Sequence, residues 1–91
     1  MHGEYKTPGG KLVVVDLEVV DGKISHPSIS GDFFLEPPEA LAEIDRALDQ
    51  LPAGASEDAI AEQIREALEP GVEMIGFSPE AIARAVRRAL S

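Results

Sequence analysis

The residues predict an α+β domain, a small antiparallel sheet built on a β-hairpin with about three helices packed on one of its faces. Three observations carry this. Val-rich residues from Leu12 to Val20 alternate with Asp16 and Glu18 at the period of a half-buried strand. Asp21-Gly22 then offers the positive φ angles of a two-residue type I′ turn. From Pro38 onward the apolar period changes from two to between three and four, and strands followed by helices is the α+β order.

Taken in order, Glu4 to Thr7 is expected to add a short strand, and Lys23 to Ser30 to return antiparallel to Leu12–Val20. Strict pairing across the turn sets Val19 beside Ile24, Leu17 beside His26 and Asp16 beside Pro27, which leaves Ile24 and Ile29 on opposite faces. A bulge near His26-Pro27 would repair the pattern, and Pro27, lacking an N–H, suits an irregular or edge position. The first helix is expected from about Pro38 to Leu51, with Leu41, Ile44, Leu48 and Leu51 as its stripe and Pro52-Ala53-Gly54 as its stop. Ser56 caps a second helix running through Leu68 (stripe Ile60, Ile64, Ala67, Leu68), and Pro70-Gly71 ends it. Ser78-Pro79 opens a third, with Ile82, Val86, Ala89 and Leu90 inward. Between the last two, Val72, Met74, Ile75 and Phe77 are read as core plugs.

Ninety-one residues are read as one domain, 1–91, because a chain of this size buries only roughly 60 to 65% of its unfolded surface and cannot supply two cores. Eight Lys and Arg against seventeen Asp and Glu, a net charge of −9, argue against a nucleic-acid partner, which needs clustered cations. The absence of cysteine removes disulfides, thiolate nucleophiles and thiolate metal sites, and a reducing cytoplasm fits. Met1 to Lys6 has no apolar signal-peptide stretch, and the longest apolar run, Leu12 to Val15, is too short to span a bilayer, so a cytoplasmic protein without membrane contact is expected.

No residue set announces catalysis. Gly9-Gly10-Lys11 falls short of a phosphate loop, since a strand follows Lys11 where a helix would be needed; a glycine turn leading into the strand and a ligand or partner contact remain its two readings. Asp16 and Glu18 share a face, which reads either as the usual polar half of an alternating strand or, less commonly, as a catalytic carboxylate pair or metal clasp of a small enzyme. His2, at an expected frayed terminus, and His26 have no metal-ligand spacing, and Ser28 and Ser30 have no oxyanion hole beside them. Arg84, Arg87 and Arg88 either compensate the last helix's dipole or form a docking patch. Gly31-Asp32-Phe33-Phe34-Leu35-Glu36-Pro37-Pro38 holds two of only four aromatic residues at a strand-to-helix junction. In an extended segment one ring enters the core and the other faces outward as an interface anchor, whereas a bend after Gly31 would bury both.

These pieces, Glu4-Tyr5-Lys6 with Pro8-Gly9-Gly10-Lys11-Leu12-Val13, then Asp21-Gly22-Lys23-Ile24, Ile29-Ser30-Gly31-Asp32-Phe33-Phe34 and Pro38-Glu39-Ala40-Leu41, occur in an order that resembles the accessory (C-terminal) domain of lipoate-protein ligases, in its stand-alone small-subunit form. The resemblance covers nearly the whole chain. It implies a fold similar to SufE-like and NifU-like proteins, whose cysteine chemistry is not carried over to a chain without cysteine. It also implies a subunit that is not an enzyme by itself and has no catalytic or metal-binding residue and no cofactor of its own.

Such a subunit would bind a separate ligase catalytic subunit and assist the step in which lipoate and ATP give lipoyl-AMP and pyrophosphate. The lipoyl group then passes to a lysine of a lipoyl carrier domain, a partner met only indirectly. The catalytic domain's Arg-Arg and glycine-rich loops are missing, Arg87-Arg88 lying near the last residue with no glycine run after it. The expected partner contacts are Lys6, Gly9, Gly10, Lys11, Asp32, Phe33 and Phe34. A different reading is a protein-binding adaptor of SufE-like fold unrelated to lipoylation.

Overall fold

The computed structural model describes residues 1–91. A three-stranded antiparallel sheet is formed by β1 (His2–Lys6), β2 (Leu12–Val20) and β3 (Lys23–Gly31), in that spatial order. A second sheet of two short antiparallel strands pairs β4 (Phe34–Glu36) with β5 (Glu73–Ile75). The helices are α1 (Ala40–Leu48), α2 (Glu57–Ala67) and α3 (Pro79–Leu90).

The hairpin register carries the expected bulge. Val19 faces Ile24 and Glu18 faces Ser25, but Asp16 faces Ser28, so Leu17 lies opposite both His26 and Pro27. His26 takes φ 53°, the left-handed conformation that absorbs an extra residue. One inserted residue changes the parity of the strand, and Ile24 and Ile29 therefore both point inward, fully and almost fully buried.

Val13, Val15 and Leu17 share that inner face, while Asp16, Glu18 and Val20 are exposed on the other. The helices cover the inner face. Helix α3 lies so close to β1 that a Cβ on Gly3 would strike the Ala85 carbonyl and the Ala89 amide, a proximity only glycine permits. Helix α1 packs on β3, where the half-buried Asp45 carboxylate accepts the Ile29 amide at 3.2 Å; burial pushes this carboxyl's pKa up, and the amide opposes the shift. Helix α2 joins α1 to α3, and seventeen buried residues from β2, β3, the three helices and Phe77 form one continuous core.

Both serine caps form as the sequence indicates. The Ser56 and Ser78 hydroxyls each accept the amide three residues on, Ala59 and Ala81, at 3.1 Å, with Pro79 in the first turn of α3. The first helix is shorter than expected. It begins at Ala40 after turns from Pro37 and Pro38, and it ends at Leu48 instead of Leu51. The reason lies in the hairpin: Gln50 (φ 71°) donates to the Ile24 carbonyl at 2.7 Å and Leu51 accepts the Ile24 amide at 2.8 Å, so strand-like pairing replaces the last helical turn.

The plug segment also needs correction. Phe77 is a core residue and Met74 packs against the core, but Ile75 is 58% exposed, because residues 73–75 form a strand that turns alternate side chains outward. The first strand starts two residues earlier than expected, since His2 is paired with Asp16 and the Met1 carbonyl accepts the Leu17 amide at 2.9 Å. No helix is long and apolar enough to cross a membrane.

Candidate functional site: the β4–β5 face and the glycine turn

Three segments far apart in sequence meet at one end of the molecule. The turn after β1 is closed by the Gly10 amide on the Thr7 carbonyl (2.9 Å) and the Thr7 amide on the Lys11 carbonyl (3.1 Å), with Gly9 at φ 65°. It is fastened to the residue after β5. The Thr7 hydroxyl and the Lys11 amide both donate to the Gly76 carbonyl, at 3.1 and 3.2 Å. Gly76, at φ 88°, lies against the aliphatic stem of Lys11, where a Cβ would collide.

On the opposite side, Asp32 holds the β3–β4 junction to the start of β2. Its carboxylate accepts the Leu12 amide at 2.7 Å, and its own amide reaches the Leu12 carbonyl at 3.4 Å. Gly31 leaves room for this: a Cβ there would meet the Leu12 carbonyl and approach the Phe33 ring to 2.8 Å. Phe33 then turns inward and stacks on Phe77, with centroids 3.9 Å apart and planes 19° from parallel. Phe34 turns outward and is 72% exposed.

The β4–β5 register places Phe34 opposite Ile75, Leu35 opposite Met74 and Glu36 opposite Glu73. Leu35 and Met74 face the core. Phe34, Ile75, Glu36 and Glu73 therefore form the outward face, an apolar pair beside a pair of opposed carboxylates. Neither glutamate has a salt-bridge partner in the chain, whose ion pairs involve only His2, His26, Arg46, Arg65 and Arg84 as cations. Behind Phe34, an open apolar groove is lined by Ile29, Phe33, Phe34, Leu35, Pro38 and Leu41.

The predicted contact residues thus gather at this end: Gly9, Gly10 and Lys11 in the turn, Lys6 just before it, and Asp32, Phe33 and Phe34 at the junction. Lys6 and Lys11 are exposed and make no ion pair. Ile75, expected from the sequence as a core plug, completes the face together with Glu36 and Glu73, and none of the three is expected there from the sequence. Three-residue strands are too short for alternation to be read, and the pairing of β4 with β5 spans nearly forty residues.

The other candidates have in-chain occupations. Arg84 pairs with Glu57 at 3.4 Å, Arg87 donates to the Ala53 carbonyl at 2.9 Å and Arg88 to the Glu4 carbonyl at 3.0 Å. Arg84 and Arg88 also lie 5.2 and 5.0 Å from the centre of the Tyr5 ring, so the basic patch ties α3 to β1. His2 bridges Glu4 and Asp16 at 2.7 and 2.8 Å, and these hydrogen bonds, Glu4's foremost, raise its pKa. No three His, Cys, Asp or Glu side chains are grouped so as to hold a metal ion, and no polar side chain is buried.

No protein-family model and no curated protein matches the chain. Among solved structures, it is similar to a chain from an archaeal lipoylation system, described as a bi-partite lipoate protein ligase and its E2 lipoyl domain, from Thermoplasma acidophilum. The two are 29% identical with a TM-score of 0.71, and the match covers 96% of this chain and 98% of that one. The α+β architecture is shared across that whole length. The resemblance to the lipoate-protein ligase accessory domain in its stand-alone small-subunit form, carried by residues from Glu4 to Leu41, is therefore borne out by a structure matched from end to end.

Proposed function

We propose that this chain is the accessory subunit of a two-part lipoate-protein ligase, binding a separate catalytic subunit and supporting its ATP-dependent conversion of lipoate to lipoyl-AMP. The observation that carries the reading is the end-to-end match with a chain of a bi-partite ligase system.

The physical role follows from what the chain offers. It has a continuous core, an outward apolar pair and a glycine-built turn, which suit docking and ordering of a neighbouring surface. A docked subunit can raise a rate by holding mobile loops of the catalytic subunit closed over ATP and lipoate, which excludes water and keeps the carboxylate near the α-phosphate. ATP and lipoate are bound by the catalytic subunit in this scheme. Lys6 and Lys11 add unpaired positive charge at the docking end, of the sign that a departing pyrophosphate attracts.

The two half-reactions provide the test. With the catalytic subunit from the same organism, the chain is expected to raise pyrophosphate release from ATP and lipoate and to leave transfer from preformed lipoyl-AMP to a lipoyl carrier domain nearly unchanged. Equal pyrophosphate release with and without the chain would refute the proposal. Stable association with some other protein, combined with that result, would instead indicate an adaptor.

A further inference from the structure

The four side chains on the outer face of the β4–β5 ribbon are arranged at a cost to the free molecule. Glu36 and Glu73 stand directly opposite each other across the two strands, and like charges in that position repel. Neither forms an ion pair with a Lys or Arg of the chain. Beside them Phe34 and Ile75, 72% and 58% exposed, are also opposed in register and are two of only four large hydrophobic residues exposed anywhere. The acidic character continues past β4, where Pro37, Glu39, Ala40, Glu43 and Glu69 line a neighbouring hollow. Of these acids only Glu43 has a cation, Arg46.

Resting on the accessory-subunit reading above, we infer that the outer β4–β5 face is the docking surface for the catalytic subunit. Its occupant is a patch with an apolar centre for Phe34 and Ile75, flanked on one side by Lys or Arg side chains that meet Glu36 and Glu73. The charge pattern chooses among occupants. A second copy of this chain would bring Glu36 and Glu73 against a surface of a molecule that also carries net charge −9. A cationic partner turns the opposed glutamates from a repulsive pair into a fork that grips it. The face also has a direction, because Gly76, next to Ile75, holds the stem of the unpaired Lys11 while the glutamates occupy the other end of the ribbon.

This arrangement predicts opposite effects on the free chain and on the complex. Full-length chains carrying Glu36→Gln with Glu73→Gln, or Phe34→Ala with Ile75→Thr, are compared with the wild type. Affinity for the catalytic subunit is measured by calorimetry at low and high salt, and thermal melting is measured on each chain alone. The glutamine pair should melt at the wild-type temperature or above it, bind about tenfold more weakly at low salt, and lose most of the salt dependence. The apolar pair should weaken binding by about tenfold or more while the free chain stays folded.

If both variants bind as the wild type does, and wild-type chain still stimulates pyrophosphate release, the docking surface lies elsewhere and only this inference falls. If the wild-type chain neither binds nor stimulates the catalytic subunit, the accessory-subunit reading falls and takes the inference with it. Self-association of the free chain that Phe34→Ala abolishes would also overturn it, by naming a second copy as the occupant.

Discussion

Phe33 and Phe34 are adjacent in sequence and differ in environment: Phe34, the first residue of β4, lies on the strand's outer side, while Phe33, just before the strand, turns inward onto Phe77. The Phe33 ring is stacked on Phe77, so Phe33→Ala should lower unfolding stability by about 3 kcal/mol, measured by chemical denaturation. The exposed Phe34 ring can be truncated at a cost within about 0.5 kcal/mol. Equal losses at both positions would contradict the assignment of one ring to the core and one to the surface. The sequence left these alternatives open, since the choice depends on pairing with a strand that begins at Glu73.

His2 offers a test of sign. Its folded pKa is raised above the usual imidazole value by hydrogen bonds to Glu4 and then Asp16, so the proton is held more tightly in the folded chain. Whatever stability this contributes is fully present below the unfolded imidazole pKa and is lost as pH rises through the higher folded value. Titration of the His2 ring by NMR should give a midpoint above the usual imidazole range, falling when Glu4→Gln removes the leading partner. An unchanged midpoint in that variant would show that the His2–Glu4 contact is not formed in solution.

At the level of elements, legibility followed length and local chemistry. The hairpin, its bulge and both serine caps were readable because each depends on neighbouring residues: Asp21-Gly22 for the turn, the mismatched parity of Ile24 and Ile29 for the bulge, and Ser before an acidic or Pro-led helix start for the caps. The end of α1 was not readable. Its apolar period runs on to Leu51, but the backbone of Gln50 and Leu51 is captured by Ile24 in the hairpin, a tertiary bond that no local pattern encodes. The ribbon of β4 and β5 was hidden for the same reason. Ser56→Ala and Ser78→Ala should each destabilise by about 1 kcal/mol, nearly additively because they cap different helices, as read from urea midpoints at unchanged slope.

At the scale of the whole molecule, the division of labour is between a covered sheet face and an uncovered end. Three helices seal one side of β1–β2–β3, and the arginines of α3 are spent on tying that helix to Tyr5, Glu4, Ala53 and Glu57. The end where the glycine turn, the Phe33-Phe34 junction and β5 converge is uncovered, as is the outer face of the sheet, where Asp16, Glu18 and Val20 are exposed. The change from strand to helix period made the fold class legible, and the glycine and aromatic segments pointed to this end. The opposed Glu36–Glu73 pair became visible only with the register of the second sheet.

In the proposed function this chain completes a ligase whose catalytic part is another polypeptide. The most direct measurement is a titration of the chain into a fixed amount of that catalytic subunit, with ATP and lipoate in excess, following pyrophosphate release. A rate that climbs and saturates at one chain per catalytic subunit is the predicted result. A flat rate across the titration would contradict it.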